Sequence, residues 1–353
     1  MTRFARGRRV FFIEEPVYHD GPAGLAVSEK QGGVNVCVPH LPNDTPPESA
    51  TKLLSEKIND LMAEQGLSRY IAWFYTPMMI DLADSLAPVA TVYDCMDELS
   101  AFRGAPPELV ERERDLMKRA DLVFTGGQSL YEAKRSQHPS AFAFPSSVDV
   151  DHFSRAREIS EADDQMSIGR PRVGFAGVID ERLDIDLLGR AAELAPDWQF
   201  VMIGPVVKIR EDELPRRANI HYLGMRSYDD LPSYLAGWDV AMMPFALNES
   251  TRFISPTKTP EYLAAGLPVV STPITDVVQP YGELGLVHIA ASPEEFVAAI
   301  RAANEESASE RDQLVSETLS KNSWDRTFES MSSLIEDAIE RRTAPASDAA
   351  VAG

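Results

Sequence analysis

Cysteine is scarce in this 353-residue chain, which holds only Cys37 and Cys95. Two cysteines, without a Cys/His spacing typical of zinc ligands, argue against a disulfide framework and a structural zinc site. Basic residues are also in the minority, because 34 lysines and arginines stand against 55 aspartates and glutamates, a formal net charge of −21. Binding of nucleic-acid phosphates needs a basic surface, so this charge argues against nucleic acid as a partner.

Long apolar segments are missing as well. No stretch of the sequence approaches the roughly 18 to 20 apolar residues of a membrane-spanning helix. With the scarcity of cysteine, this predicts a cytoplasmic protein whose closest association with a membrane is a peripheral contact. Basic side chains cluster at residues 3–9 and 112–119, and such clusters can contact anionic lipid headgroups. Solvated helix faces are the alternative explanation for both clusters.

Short apolar segments alternate with amphipathic ones along the whole chain, a pattern typical of parallel sheets covered by helices. In the first half the predicted strands are Val10–Ile13, Val34–Val38, Ile71–Phe74, Val89–Asp94, Leu122–Thr125 and Ala141–Phe144. The predicted helices there are Ala50–Glu64, Glu108–Lys118 and Ser129–Ser136. We expect these elements to form one Rossmann-like domain over residues 1–150.

A second alternating series follows a polar segment that ends near residue 169. Its predicted strands are Arg172–Ala176, Trp198–Ile203, Ile220–Tyr222, Val240–Met243, Pro268–Ser271 and Leu286–Ile289. Its predicted helices are Asp184–Glu193, Ser227–Ala236, Lys258–Ala265, Pro293–Asn304 and Glu310–Leu319. We expect a second Rossmann-like domain over residues 170–322, a last helix over 323–342 and a disordered tail over 343–353.

The segment from Ser255 to Val270 is the most informative part of the chain. A polar loop with prolines leads into a short helix that carries Glu261 in its first turn, and Gly266 with Pro268 ends that helix before a strand. The N-terminus of a helix has unsatisfied N–H groups and a partial positive charge, which favour a diphosphate in the preceding loop. The Glu261 carboxylate can accept hydrogen bonds from sugar or ribose hydroxyls.

The pattern Ser-Pro-x-Lys-x-x-Glu-Tyr-Leu-Ala-x-Gly-x-Pro-Val-Val at Ser255 to Val270 resembles the donor-binding signature of GT-B glycosyltransferases in family 4, group 1. The resemblance implies an α/β fold of the GT-B type, in which two Rossmann-like doubly wound domains face a cleft. The N-terminal domain would bind the acceptor and the C-terminal domain the donor, and the last helix would cross back to the first domain.

The same resemblance implies an activity of the hexosyltransferase type. The enzyme would move a sugar from a UDP- or GDP-sugar to a hydroxyl of a glycan or lipid-linked glycan, with retention of anomeric configuration. The setting would be bacterial cell-surface or exopolysaccharide synthesis, with peripheral contact at the inner membrane. The nucleotide sugar is a co-substrate, and no cofactor is expected.

The resemblance also implies residues for the nucleotide-sugar site. These are Gly177, Arg182, Ser255, Pro256, Thr257, Lys258 and Glu261. Glu261 would hold the ribose, while Arg182 and Lys258 would stabilise the charge that develops on the leaving diphosphate. A surface arginine and an ordinary helical lysine are the alternatives for the two cations.

One position departs from the family pattern. Many members carry a second glutamate eight residues before the ribose glutamate, where it holds the donor sugar, and this chain has Phe253 there. The pattern therefore does not identify the sugar. Four polar residues lie close enough in sequence to replace that glutamate: Asn248, Glu249, Thr251 and Arg252.

Two aspartates are the candidate catalytic residues. Asp94 ends a predicted strand and Asp97 follows it, and ligands of open α/β sheets bind outside the carboxyl ends of strands. Either carboxylate can orient or deprotonate an acceptor hydroxyl, and a helix N-cap is the alternative for both. The Gly126-Gly127-Gln128-Ser129 turn is a further element at the edge of the cleft, where Ser129 can also serve as a helix cap.

No metal site is expected. Asp149-Val150-Asp151 and Asp184-Ile185-Asp186 match the Asp-x-Asp pattern of the other glycosyltransferase fold. The first lies in the predicted linker and the second at the start of a helix, so neither lies where that fold would use it.

The start of the chain is unusual for the family. GT-B domains usually open with a strand, whereas Met1–Arg6 has the pattern of a helix end, so we expect the first strand unit to be missing. Such a loss favours one alternative function, a non-catalytic sugar-nucleotide-binding partner. A sugar-nucleotide epimerase of the same fold is the second alternative, and the loss of glutamate at Phe253 argues against it.

Overall fold

The computed structural model describes residues 1–30 and 32–343. The strands, in chain order, are β1 Val10–Ile13, β2 Val17–His19, β3 Gly24–Lys30, β4 Val34–Pro42, β5 Ile71–Phe74, β6 Ala90–Cys95, β7 Leu122–Thr125, β8 Ala141–Ala143, β9 Arg172–Ala176, β10 Gln199–Ile203, β11 Ile220–Gly224, β12 Val240–Met243, β13 Val269–Ser271 and β14 Val287–Ile289. The helices are α1 Pro47–Glu64, α2 Leu109–Arg119, α3 Gln128–Lys134, α4 Val150–Ser154, α5 Ile185–Leu194, α6 Leu231–Leu235, α7 Lys258–Ala264, α8 Thr275–Val277, α9 Pro293–Asn304, α10 Ala308–Leu319 and α11 Trp324–Thr343.

The C-terminal domain is built on a six-stranded parallel sheet in the order β11-β10-β9-β12-β13-β14. All residues of β9 and β12 are buried, as expected for strands covered by helices on both faces. The strand order reverses beside β9, and such switch points open a crevice at the carboxyl ends of the strands. This crevice is where the candidate site lies.

The N-terminal domain contains two sheets. Strands β5 to β8 form a parallel sheet in sequence order, and β1 to β4 form a second sheet in which β3 runs antiparallel to β4. The strands predicted for this half of the chain are thus divided between two sheets. Two strands, β2 and β3, were not predicted, because most of their residues are exposed and carry no continuous apolar pattern.

Smaller differences occur at helix ends. The predicted helix Ser227–Ala236 is a 3₁₀ turn at Tyr228–Asp230 followed by α6, which has a proline in its first turn. Thr343 is the last residue of α11 and not the first of a tail, and the remaining tail residues, 344–353, lie outside the described part. In the described residues a 3₁₀ turn at Phe4–Arg6 precedes β1 and no strand does.

The last helix, α11, packs on the N-terminal domain. Ile335 and Ala338 lie in one buried cluster with Val92, Leu122 and Phe124 of β6 and β7. None of the helices in residues 1–30 and 32–343 is both long and apolar enough to span a bilayer.

Candidate functional site

Lys258 lies at the start of α7, against the carboxyl end of β9. A Cβ atom on Gly177 would lie 2.1 Å from Cε and 2.7 Å from Nζ of Lys258, so the absence of a side chain at Gly177 permits this approach. Burial lowers the pKa of Lys258. Its Nζ atom lies 5.8 Å from the ring centroid of Phe175. Among the described residues no carboxylate or carbonyl forms an ion pair or hydrogen bond with this Nζ atom, which leaves its positive charge available to an anion.

Glu261 follows one turn later on the same helix. Burial raises the pKa of its carboxyl to about 7, and the positive charge of Lys258 opposes this shift. The next residue fixes the helix, because the Tyr262 hydroxyl lies 2.8 Å from the backbone nitrogen of Ala176, the last residue of β9, and accepts a hydrogen bond from it. An unpaired cation and a carboxylate thus lie side by side at the end of a central strand.

Arg182 reaches the same region but has a partner. Its Nε atom lies 3.0 Å from Oδ1 of Asp180 and its terminal nitrogen 2.6 Å from Oδ2, and this bidentate pair raises the pKa of Arg182. Asp180 is buried. The pair holds the guanidinium in place and offsets part of its charge, so Lys258 is the stronger anion ligand of the two.

A loop of the N-terminal domain contacts Arg182 and a further cation, Lys208. The Cζ atom of Arg182 lies 5.8 Å from the centroid of the Phe102 ring, and the Nζ atom of Lys208 lies 5.1 Å from it. Both distances are typical of cation–π contacts. Asp97 lies at the start of the same loop, where burial raises its pKa and the charge of Arg182 opposes the shift. Asp97 therefore faces Arg182 of the C-terminal domain.

The loop before α7 forms part of the domain interface. A Cβ atom on Gly127 of the N-terminal domain would lie 2.7 Å from Cβ of Ser255 and 2.2 Å from Oδ2 of Asp276. Pro256 is half-buried and Thr257 is exposed. Ser255 therefore contacts the opposite domain, whereas Thr257 is open to solvent at the start of a helix of only seven residues.

Asp94 lies apart from Asp97. It is buried within β6, and its Oδ2 atom accepts a hydrogen bond from Nε1 of Trp73 at 3.1 Å. Burial raises its pKa to about 6, and the hydrogen bond from Trp73 opposes this shift. The helix-cap alternative is wrong for Asp94, which lies inside a strand, and in the described part of the chain the Asp97 side chain caps no helix either.

Other polar residues of this region have structural partners. Glu98 pairs with the buried Lys134 at 2.6 Å, and Glu113 pairs with the same Nζ atom at 2.7 Å. Asn248 caps the 3₁₀ turn Glu249–Thr251 by accepting hydrogen bonds from two backbone nitrogens. The cap alternative for Ser129 is wrong, because Ser129 is the second residue of α3 and Gly127 is its N-cap. The backbone N–H of Ser129 donates to Asp276 across the domain interface.

Phe253 has a different role from the glutamate that many family members carry there. Its ring packs against a buried cluster of the N-terminal domain that includes Phe74, Tyr93 and Leu130. It is therefore an interdomain contact. Neither Asp276 nor Phe102 was identified from the sequence, because their partners lie far away along the chain and no local pattern marks them.

The two Asp-x-Asp segments start helices. Asp149 accepts a hydrogen bond from the backbone nitrogen of His152 at 3.1 Å, and Asp184 accepts one from Leu187 at 2.8 Å. Across the described ranges, no group of three or more histidine, cysteine, aspartate or glutamate side chains is arranged to hold a metal ion.

Comparison with known proteins finds a family match for part of the C-terminal domain. Residues 170–305 match the family model described as "Glycosyl transferases group 1". Over 250 residues the chain is 27% identical to TuaH of Bacillus subtilis (strain 168), named as a candidate glycosyltransferase of teichuronic acid biosynthesis. That alignment covers 65% of this chain and 62% of TuaH, so the chain matches less than two thirds of the length of that relative.

Solved structures share the fold over nearly the whole chain. A sucrose-phosphate synthase from Thermosynechococcus elongatus superimposes with a TM-score of 0.69 at 14% identity, covering 96% of this chain and 91% of its own. The E. coli trehalose-6-phosphate structure bound with UDP-2-fluoro glucose gives 0.69 at 13% identity, with coverages of 95% and 94%. Anabaena HepE in complex with UDP and glucose gives 0.64 at 15% identity, with both coverages 87%. Residues 170–305 are therefore similar to the group 1 glycosyltransferases, and the chain has the GT-B fold.

Proposed function

We propose that this protein transfers a sugar from a nucleoside-diphosphate sugar, UDP- or GDP-linked, to a hydroxyl of a glycan or lipid-linked glycan. The similarity to TuaH supports a role in cell-surface polysaccharide synthesis. Hexosyl transfer with retention of configuration is the specific reaction that we propose, on the basis of the family resemblance.

In this reaction the bond between the anomeric carbon and the diphosphate oxygen breaks, and a bond from the anomeric carbon to the acceptor oxygen forms. The acceptor hydroxyl loses its proton, and the nucleoside diphosphate leaves. Negative charge grows on the diphosphate as the first bond breaks, so Lys258 and Arg182 would stabilise the transition state more than the ground state. Asp94 and Asp97 are the candidates to orient the acceptor hydroxyl or take its proton.

One observation carries the proposal. Lys258, which has no ion-pair partner among the described residues, and the half-buried carboxylate of Glu261 lie one turn apart on α7, beside the backbone of Gly177 at a switch point of the parallel sheet. A ligand with a negatively charged diphosphate and a ribose with two hydroxyls satisfies both groups at once. A neutral sugar would leave the Lys258 charge without a partner, which makes a nucleoside diphosphate the better match.

Calorimetric titration of the full chain with UDP and GDP tests the donor site. We expect Glu261→Ala to weaken binding of the preferred nucleotide by about 1–3 kcal/mol, because buried hydrogen bonds to ribose are lost. Glu340→Gln, which changes an exposed glutamate of α11, is the matched control. Equal affinities of wild-type protein and Glu261→Ala would refute the ribose role of Glu261.

The reaction is tested by incubating the protein with a panel of nucleotide sugars and following the anomeric signals by NMR. Transfer to added glycan, or hydrolysis of the donor by water, supports a glycosyltransferase. An epimerised nucleotide sugar would identify an epimerase of the same fold. Binding without reaction, even with acceptors present, would identify a sugar-nucleotide-binding partner.

A further inference from the structure

Aromatic side chains from both sheets of the N-terminal domain meet near Asp94. Tyr75 follows the last residue of β5, and its ring centroid lies 6.4 Å from that of Trp73 and 6.1 Å from that of Phe12 in β1. Phe12 and Asp94 are each the last residue but one of a strand. Ligands of parallel sheets bind outside the carboxyl ends of strands, and this group lies there.

The three rings have different surroundings. Trp73 packs on Phe124 at 5.7 Å and on Phe4 at 5.4 Å between centroids, and it belongs to the buried cluster under α11. Phe12 and Tyr75 belong to none of the hydrophobic clusters found in the described residues, and Tyr75 is 38% exposed. Trp73 is thus fixed by the core, whereas Tyr75 and Phe12 present ring surface that no core residue covers.

Asp94 has unused hydrogen-bonding capacity. Its side chain is 5% exposed, yet within the described part of the chain it accepts one hydrogen bond, from Trp73 to Oδ2. The N-terminal ammonium of Met1 lies within electrostatic reach of this carboxylate but forms no hydrogen bond with it in the described residues. The Tyr75 hydroxyl, which lies within electrostatic reach of Asp94, has no hydrogen-bond partner among the described residues. A buried carboxylate can accept several hydrogen bonds, and leaving them unmade is unfavourable. These two groups therefore require a ligand or water that donates and accepts hydrogen bonds.

The chemistry of this group distinguishes between classes of ligand. A pyranose ring has an apolar face of C–H groups, which packs on aromatic rings, and hydroxyls at its rim, which donate to a carboxylate. An alkyl chain would pack on the rings but leave Asp94 and the Tyr75 hydroxyl unsatisfied. A charged phosphate would be repelled by Asp94. A neutral sugar ring is the class that satisfies every group.

We propose that Phe12, Tyr75 and Asp94 form the acceptor subsite and bind a sugar ring, with its apolar face against Tyr75 and one hydroxyl donating to Asp94. This inference rests on the proposed transfer reaction and assigns different roles to the two aspartates. Asp94 holds the acceptor hydroxyl, whereas Asp97 lies beside Arg182 on the donor side. The acceptor is then a glycan end and not the bare headgroup or tail of a lipid.

The test is saturation-transfer NMR on the full chain with a panel of methyl pyranosides, namely the methyl glycosides of glucose, galactose, mannose, N-acetylglucosamine and glucuronic acid. We expect at least one to bind. Its affinity should fall about tenfold in Tyr75→Ala through loss of the stacking surface. In Asp94→Asn it should fall roughly five- to 150-fold, because a hydrogen bond to a buried charged group is lost. Tyr18→Ala, which removes an exposed tyrosine of β2, should leave binding unchanged.

Three results would refute the proposed acceptor subsite. The rings do not recognise sugar if no pyranoside of the panel binds or if binding is unchanged in Tyr75→Ala. The same conclusion follows if octanol receives as much saturation transfer from the protein as the pyranosides do. Thermal melting and UDP or GDP affinity of each variant exclude loss of fold as the cause. Pyranoside binding that depends on Tyr75, in a protein that binds no nucleotide, would retain the subsite and refute the proposed donor, so the two failures are distinguishable.

Discussion

The Asp276 carboxylate of the C-terminal domain accepts a hydrogen bond from the backbone N–H of Ser129 in the N-terminal domain, with 2.9 Å between the two atoms. Ser129 lies in the first turn of α3, where N–H groups have no partner within the helix. Gly127 lies just before the first residue of α3, and a Cβ atom there would meet both Asp276 and Ser255. The two domains therefore touch at a point with no room for a side chain, directly beside the loop that leads into α7.

A side chain at residue 127 should separate the domains. The backbone of Gly127 is extended, with φ −164°, so Gly127→Ala strains no dihedral angle and acts through its contacts alone. We expect a larger radius of gyration in small-angle X-ray scattering and weaker binding of nucleotide sugar. Gly7→Ala is the control, because a Cβ atom there meets no neighbour within 4 Å. An unchanged radius of gyration in Gly127→Ala would contradict the prediction.

Lys258→Met should weaken the binding of the phosphates and leave the binding of the nucleoside unchanged. Removal of the unpaired charge should weaken binding of UDP or GDP by about 1.5–3 kcal/mol, the contribution typical of hydrogen bonds to charged groups. Binding of uridine or guanosine should change little. Calorimetry with each pair of ligands measures the difference, and Lys321→Met, at an exposed lysine, provides the control. Equal losses for nucleoside and nucleotide would place the phosphates elsewhere.

The buried carboxyl group of Glu261 should make the folded protein less stable as the pH rises. Burial holds its pKa at about 7 in the folded state, above the value of 4.5 for an unperturbed glutamate. Between these values the unfolded chain loses the proton first, so the folded state becomes relatively less stable with increasing pH, and the full penalty is reached above pH 7. Glu261→Gln should therefore raise the free energy of unfolding at pH 8 by about 1–3 kcal/mol, and leave it nearly unchanged at pH 4.

Urea denaturation at the two pH values measures this effect. A variant that is destabilised at pH 8 would indicate that the carboxylate makes stronger hydrogen bonds in the folded state than the described contacts account for.

Phe253→Ala should act on the domain contact and not on sugar recognition. Loss of a half-buried ring from the N-terminal cluster should destabilise the protein by about 1–3 kcal/mol. The ratio of affinities for nucleotide sugar and free nucleotide should stay constant, because the ring contacts protein. Leu247→Ala, at an exposed leucine of the same segment, is the control for stability. A selective loss of nucleotide-sugar binding in Phe253→Ala would contradict this assignment.

The C-terminal domain was predictable from the sequence to within a few residues. Arg172–Ala176, Val240–Met243 and Pro293–Asn304 have the predicted bounds. The strands are buried on both faces and therefore read as continuous apolar segments, and α9 begins with a proline behind a Ser292–Glu295 capping box. In the N-terminal domain, β3 is an exposed edge strand, and no periodic pattern marks such a strand.

The sequence by itself determined what depends on neighbouring residues. These features are the alternating pattern of an α/β fold and the Ser255 to Val270 segment that places Lys258 and Glu261 one turn apart. Residues three apart on a helix share a face whatever surrounds them, so their proximity needs no tertiary information.

Only the tertiary structure decided which partners those residues meet. It gives Asp94 and Asp97 different neighbours, Trp73 and Arg182, and it packs the ring of Phe253 against the N-terminal domain. The contact between Asp276 and Ser129 joins residues 147 positions apart. Such contacts depend on how two sheets and two domains pack. Local periodicity reports whether a residue is buried but not against which distant residue it lies.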